Sequence, residues 1–163
     1  MKNSHPTTSK ATAEELEALF QALGDRTRLR LLNLMADGEV CVCFFIEVLD
    51  EPQPKISRHL AYLRSAGLVT VRREAKWANY AIAPPEQPAA RAIFEGVIAA
   101  MKDDREMQRD RAALARACCS PRAPEQLRRA PRPAIAAFRC STPRPSCGRS
   151  IRSAARSASS NGC

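Results

Sequence analysis

Cys41 and Cys43 are the residues of this chain whose type and spacing most readily do chemistry, two thiols in the apolar run Val40-Cys41-Val42-Cys43-Phe44-Phe45-Ile46. Thiolates are soft donors that select soft ions, and two neighbouring thiols also permit reversible oxidation. Residues i and i+2 lie ~200° apart around a helix, so both sulfurs reach one ion only from a frayed helix end or through a distorted helix. Cys118 and Cys119 are candidates for a third donor, from the same chain or a dimer mate. Cys140, Cys147 and Cys163 stand apart and read as incidental. The first ten residues are polar and carry no apolar signal region, so the expected setting is the cytoplasm, where an odd set of seven cysteines stays reduced.

A second group is suited to reading nucleic acid. Gln53, Pro54, Lys55, Ser57, Arg58 and His59 fall in the first two turns of a helix, and Tyr62 and Arg64 follow in the next. Gln pairs bidentately with adenine and Arg with guanine, while Lys and Ser suit phosphates or single acceptors. Ile56, Leu60 and Leu63 face the other way and hold the helix to a core. A lone basic helix is usually only a solvated face. Here a turn precedes it and a hairpin follows, with Arg72, Arg73 and Lys76 in the charged turn of residues 72–76, where they suit phosphate contacts. Trp77 reads as packing that hairpin onto the core.

The elements that must position these groups follow from periodicity. Leu16, Leu19, Phe20 and Leu23 mark a first helix closed by Gly24, and Asp25 caps a second carrying Leu29, Leu32 and Met35. A short third helix over residues 41–49 leads through Asp50-Glu51-Pro52 to a fourth over 53–66, stopped by Gly67. Leu68-Val69-Thr70-Val71 and Trp77-Ala78-Asn79-Tyr80-Ala81-Ile82 alternate as strands. One long helix is then expected over 86–117, its first half apolar at Ile93, Val97 and Met101 and its charged half, 102–116, solvated. The expected class is mostly α with a β-hairpin, a winged helix-turn-helix. Residues 1–10 read as a disordered arm, 11–117 as the DNA-binding and dimerisation domain, and 118–163 as a disordered tail.

Charge alone is a poor guide. The net charge is +9, yet residues 1–116 carry 17 Lys+Arg against 16 Asp+Glu, and residues 117–163 carry nine Arg against Glu125. Nearly all the excess lies in a stretch where Ala, Arg, Ser and Pro fill 32 of 47 positions, too little apolar surface for a core. No apolar run approaches the ~20 residues of a membrane span.

Gly38-Glu39-Val40-Cys41-Val42-Cys43, then Gln53-Pro54-Lys55-Ile56-Ser57-Arg58-His59-Leu60-Ala61-Tyr62-Leu63-Arg64, Gly67-Leu68-Val69 and Lys76-Trp77-Ala78-Asn79-Tyr80, resemble the ArsR/SmtB family of metal-responsive repressors, most of all its arsenic-responsive branch. The resemblance implies a homodimer joined through its first and last helices. It implies binding to a palindromic double-stranded operator, and release when trivalent arsenic or antimony binds thiolates, with no obligatory cofactor. The chain departs from that pattern at Ile46, where some members carry a third cysteine. Residues 86–116 hold no His and residues 1–40 no Cys, so the sites implied for zinc sensors and for cadmium or lead sensors lack their donors. A thiol-redox switch or a cadmium/lead response on the same fold remains an alternative, as does a structural zinc module built from Cys41, Cys43, Cys118 and Cys119. An enzyme is not expected: an oxyanion loop of the Cys-x5-Arg type needs Arg six positions after Cys, and Arg144 and Arg149 follow Cys140 at +4 and +9.

Overall fold

The computed structural model describes residues 12–120 and 124–133. Helix α1 (Ala13–Leu23) opens on a capping box, with Thr12 Oγ1 accepting from the Glu15 amide and the Glu15 carboxylate accepting from the Thr12 amide. Helix α2 (Arg26–Met35) is capped by Asp25, whose carboxylate accepts from the Arg28 amide at 2.9 Å. Strand β1 (Val40–Cys41) feeds directly into α3 (Val42–Leu49), and α4 (Gln53–Ser65) follows with Pro54 in its first turn. Gly67 takes φ 72°, the left-handed conformation that ends a helix with least cost when no Cβ is present.

Strands β2 (Val69–Glu74) and β3 (Trp77–Ile82) form the hairpin, and β1 adds to the far edge of β3, giving the antiparallel order β1-β3-β2. Helices α5 (Pro88–Met101), α6 (Arg105–Cys119) and α7 (Glu125–Arg129) complete the described chain. Leu31, Leu32, Phe44, Phe45, Ile56, Leu60, Leu63 and Phe94 are fully buried in one core. The helix pair α3–α4 followed by the β2–β3 wing is a winged helix-turn-helix, mostly helical as expected.

Four features differ from the sequence expectation. The third helix starts at Val42 rather than Cys41, because Val40 and Cys41 pair with Tyr80 and Asn79 as a strand. The wing turn is only Ala75-Lys76, so Arg72 and Arg73 lie in β2 rather than at the tip. The expected long last helix is two, interrupted at residues 102–104, where the Asp104 carboxylate accepts from the Glu106 and Met107 amides and starts α6 afresh. The charged half of that stretch is not merely solvated: α6 buries Met107, Asp110, Leu114 and Ala115 against α2 and α3.

Structure also continues past residue 117. Cys118 and Cys119 close α6, and α7 lies within the span whose composition reads as tail, with Leu127 and Ala130 buried. Leu127 of α7 and Ala130 just after it are thus buried where α7 packs on α3 and α6. The arm at 1–10 and the rest of the tail, 134–163, lie outside the described residues.

The α2–α6 contact is polar at its centre. Arg30 grips Asp110 through Nε and Nη at 2.6 and 2.7 Å, and Asn33 Nδ2 donates to the Met107 carbonyl at 2.9 Å. Asp110 is buried, so removing its carboxylate takes both short bonds from the Arg30 guanidinium and leaves it the longer 3.8 Å contact to Glu106. Asp110→Ala is expected to lower stability by about 3 kcal/mol, read as a shift in the urea midpoint. Arg26→Ala, which breaks the exposed Arg26–Glu106 pair on the same seam, is expected to leave that midpoint almost unmoved.

Candidate nucleic-acid interface and thiol site

Cys41 is both the last residue of β1 and the N-cap of α3, with φ −71° and ψ 141°. Its backbone is extended while Val42 onward is helical, so the angular separation that a regular helix imposes on i and i+2 does not apply. The two sulfurs approach to 3.5 Å. Sulfurs each ~2.3 Å from one ion and ~100° apart about it are separated by about the same distance. Convergence therefore needs no distortion of α3: of the two routes that helix geometry leaves open, the structure has the one at the helix end. Cys41 is buried and Cys43 half-buried. Burial first, and then the bond shared with Cys41, push the Cys43 thiol up to about 12.

The other expected donors stay apart. Cys118 is a half-buried thiol near the end of α6, raised to about 11 by burial, while Cys119 is disulfide-bonded. Among the described residues no three His, Cys, Asp or Glu side chains gather as a metal site. Cys118 and Cys119 thus do not gather with Cys41 and Cys43 among the described residues. A cavity of about 290 Å³ lies between α3, α6 and α7, lined by Glu47, Val48, Arg116, Pro124 and Leu127, away from both thiols.

On α4 the apolar face, Ile56, Leu60 and Leu63, is fully buried. This leaves Gln53, Pro54, Ser57, Arg58, Tyr62 and Arg64 exposed on the opposite side. Lys55 is ion-paired with Glu51 at 2.6 Å. His59 Nδ1 lies 3.4 Å from the Asp25 carboxylate. The Tyr62 hydroxyl donates to Gln21 Oε1 at 3.2 Å, and the Arg28 guanidinium sits 4.4 Å above its ring. The recognition helix is thereby registered against the junction of α1 and α2.

In the wing, Arg72 is held by Glu39 at 2.8 and 3.0 Å and by Glu74 at 2.8 Å. Those carboxylates raise its pKa further. Arg73 and Lys76 are exposed, and Lys76 Nζ lies 5.1 Å from the Trp77 ring centroid. Arg58, Arg64 and Arg73 make no ion pair among the described residues, so they meet an approaching phosphate without first leaving a carboxylate.

Sequence reasoning missed Glu39 and Asn79. Asn79 lies opposite Cys41 in the β1–β3 ladder and is 2% exposed. A strand of two residues leaves no periodic signal, so nothing in the sequence pairs these positions.

Residues 25–71 match the family described as bacterial regulatory protein, arsR family. Over 67 residues the chain is 49% identical to the arsenical resistance operon repressor of Escherichia coli, covering 40% of this chain and 57% of that protein. Over 86 residues it is 42% identical to an arsenic resistance transcriptional regulator of Pseudomonas putida, covering 52% of this chain and 67% of that one. The match to the crystal structure of the transcriptional repressor BigR from Xylella fastidiosa has 26% identity and a TM-score of 0.45, covering 54% of this chain and 87% of that chain.

The raised pKa of Cys43 lowers its thiolate fraction about a thousandfold at neutral pH. The greater intrinsic nucleophilicity of a high-pKa thiolate recovers part of this, leaving alkylation about fiftyfold slower than for an ordinary thiol. Iodoacetamide labelling at pH 7.5, followed by peptide mass spectrometry, should show Cys43 protected to about that extent relative to the urea-unfolded chain.

Proposed function

The chain belongs to the ArsR family of bacterial regulatory proteins, and from that premise we propose a homodimeric repressor that binds palindromic operator DNA and leaves it when trivalent arsenic or antimony binds Cys41 and Cys43. The observation that carries this reading is the 3.5 Å approach of the two sulfurs at the N-cap of α3, the helix that precedes the recognition helix. Two relatives named for arsenic resistance, at 49% and 42% identity, support the inducer class.

In this reading α4 enters the major groove with Gln53, Ser57 and Arg58 at the base edges, and Lys55, His59, Tyr62 and Arg64 fix its register. Arg72, Arg73 and Lys76 in the wing meet the adjacent backbone. Phe20 on α1 is 58% exposed, and Leu16 on α1 and Ile93, Val97 and Ile98 on α5 are only half-buried. These apolar positions supply the face that a second copy covers. A cytoplasmic setting would keep Cys41 and Cys43 the free thiols they are here, although Cys119 is disulfide-bonded and so departs from the expectation that all seven cysteines stay reduced. The same sulfur approach favours a second reading in which oxidation, rather than a metalloid, drives release.

Binding by two thiols exchanges two hydroxyls of arsenous acid for two sulfurs and forms two waters, so protons balance. The Cys43 thiol, raised to about 12, keeps its proton across the neutral range, and that proton leaves as part of a water. A divalent ion brings no hydroxide to carry it, must expel it to solvent, and so binds more tightly as pH rises. Arsenite affinity is therefore expected to stay flat from pH 6 to 8, while affinity for cadmium climbs. Calorimetric titrations in buffers of different ionisation enthalpy would check this, and a steep rise for arsenite would count against the exchange.

Operator-release assays test the whole reading. Under anaerobic reductant, arsenite should displace the protein from operator DNA; release only on adding peroxide would favour the redox reading. Cys43→Ser is expected to keep operator affinity and lose arsenite release. Arg58→Ala is expected to weaken operator binding about tenfold at every arsenite concentration.

A further inference from the structure

We propose that Asn79 is a further residue of the inducer site, donating a hydrogen bond from Nδ2 to the hydroxyl that a trivalent arsenic or antimony hydroxide keeps after two thiols have displaced its other two. This deepens, and rests on, the reading of Cys41 and Cys43 as the ligand thiols.

The argument starts from an orphan. Asn79 is 2% exposed, and its Nδ2 has no hydrogen-bond partner among the described residues. An amide buried without a partner is destabilising, and native proteins keep very few of them. Such a group persists most readily where it serves a ligand.

Its place in the fold says which ligand. Asn79 is the direct partner of Cys41 across the β1–β3 pair. Directly opposed residues send their side chains from the same face of the sheet with Cβ atoms ~5 Å apart, within the span of an amide. Asn79, which carries the orphan donor, thus projects from the same face of the sheet as Cys41.

The chemistry of the ligand supplies the complement. The trihydroxide plus two thiols gives two new sulfur bonds, two waters and one remaining hydroxyl. No third His, Cys, Asp or Glu joins the two sulfurs among the described residues, so none of the described side chains of that set replaces that hydroxyl. Once desolvated, its oxygen needs a donor, and Asn79 Nδ2 is a donor without an acceptor. The site so described takes neutral trihydroxides. An arsenical with an aryl group in the third position still binds two thiols, but offers Asn79 no oxygen.

The test compares arsenite with phenylarsine oxide on the purified full chain under anaerobic reductant, read directly by the ultraviolet absorption of arsenic–sulfur bonds. Asn79→Leu replaces the amide with an apolar group of similar size, and Asn79→Ala serves as a second variant; thermal unfolding of the free proteins reports whether each folds. The expected result is arsenite affinity about tenfold weaker in both variants, phenylarsine oxide affinity unchanged, and a melting temperature for Asn79→Leu at or above that of the parent. Equal losses for both arsenicals would make Asn79 a packing residue of the sheet and overturn the proposal, as would no loss for either. If the parent binds neither arsenical, the thiol-site reading itself fails and the proposal falls with it; if the parent binds both and the variants do not discriminate, only the role of Asn79 falls.

Discussion

The pairing of Val40 and Cys41 with Tyr80 and Asn79 is the constraint on which the arrangement of this site depends. It holds Cys41 in extended backbone and so forces α3 to begin one residue later. It brings two thiols together that a continuous helix would have turned apart. It also attaches the start of the helix-turn-helix to β3, the strand that β2 completes as the wing, so thiols and wing belong to one sheet. Across that sheet Cys41, Asn79 and Arg72 form a single row, and Glu39, two residues before Cys41, grips Arg72. A displacement of β1 therefore reaches a wing arginine through two routes, the ladder and an ion pair.

The distribution of charge gives this connection its effect. The surface of α4 and the wing, which the proposed function sets against DNA, is not a uniform basic patch, because Lys55 and Arg72 are occupied by Glu51, Glu39 and Glu74. Exposed pairs of this kind stabilise little in water, but they fix where a side chain waits. A phosphate that recruits Arg72 has to draw it from Glu39, which lies next to β1. Arg58, Arg64 and Arg73 need no such exchange. The cations of α4 and the wing thus divide into those with no ion pair among the described residues, Lys55 held by Glu51, and Arg72, whose availability depends on the strand that carries the thiol. The overall +9 of the chain says nothing of this division, since most of it falls after residue 116.

What the sequence makes legible is whatever has a local cause. Asp25, Pro54 and Gly67 punctuate helices through backbone chemistry that acts within a few residues, and Ile56, Leu60 and Leu63 reveal the buried face of α4 by spacing alone. The break before α6 was visible in principle: after the apolar positions Ile93, Val97 and Met101 comes Lys102-Asp103-Asp104, with Asp104 placed to cap a new helix. Charge on that stretch masked its packed face, because Arg30 turns Asp110 into an interior residue. The thiol geometry and the orphan amide of Asn79 are not local. The first depends on the extended backbone that strand pairing imposes on Cys41, the second on a neighbour almost forty residues away.

A site already assembled restricts how release can work. A ligand shifts an equilibrium only by the difference in its affinity for the two states, and the same coupling must appear from the DNA side. Here the sulfurs converge without DNA, and α3 is held on its other side by α6 and α7. Under the proposed function, ligand binding then requires no melting or bending of α3. In that same reading the discriminating step lies in the DNA-bound conformer, and the β1–β3 pairing, set between α3 and the wing, is the place where drawing α4 and the wing into their grooves would be felt. If DNA moves the two sulfurs apart, metalloid binding restores the free arrangement and opposes the DNA-bound one, without distortion of the helix. The coupling is then carried by a two-residue strand, short enough to shift against β3 while the hydrophobic core around Phe44, Phe45, Leu60 and Leu63 stays packed.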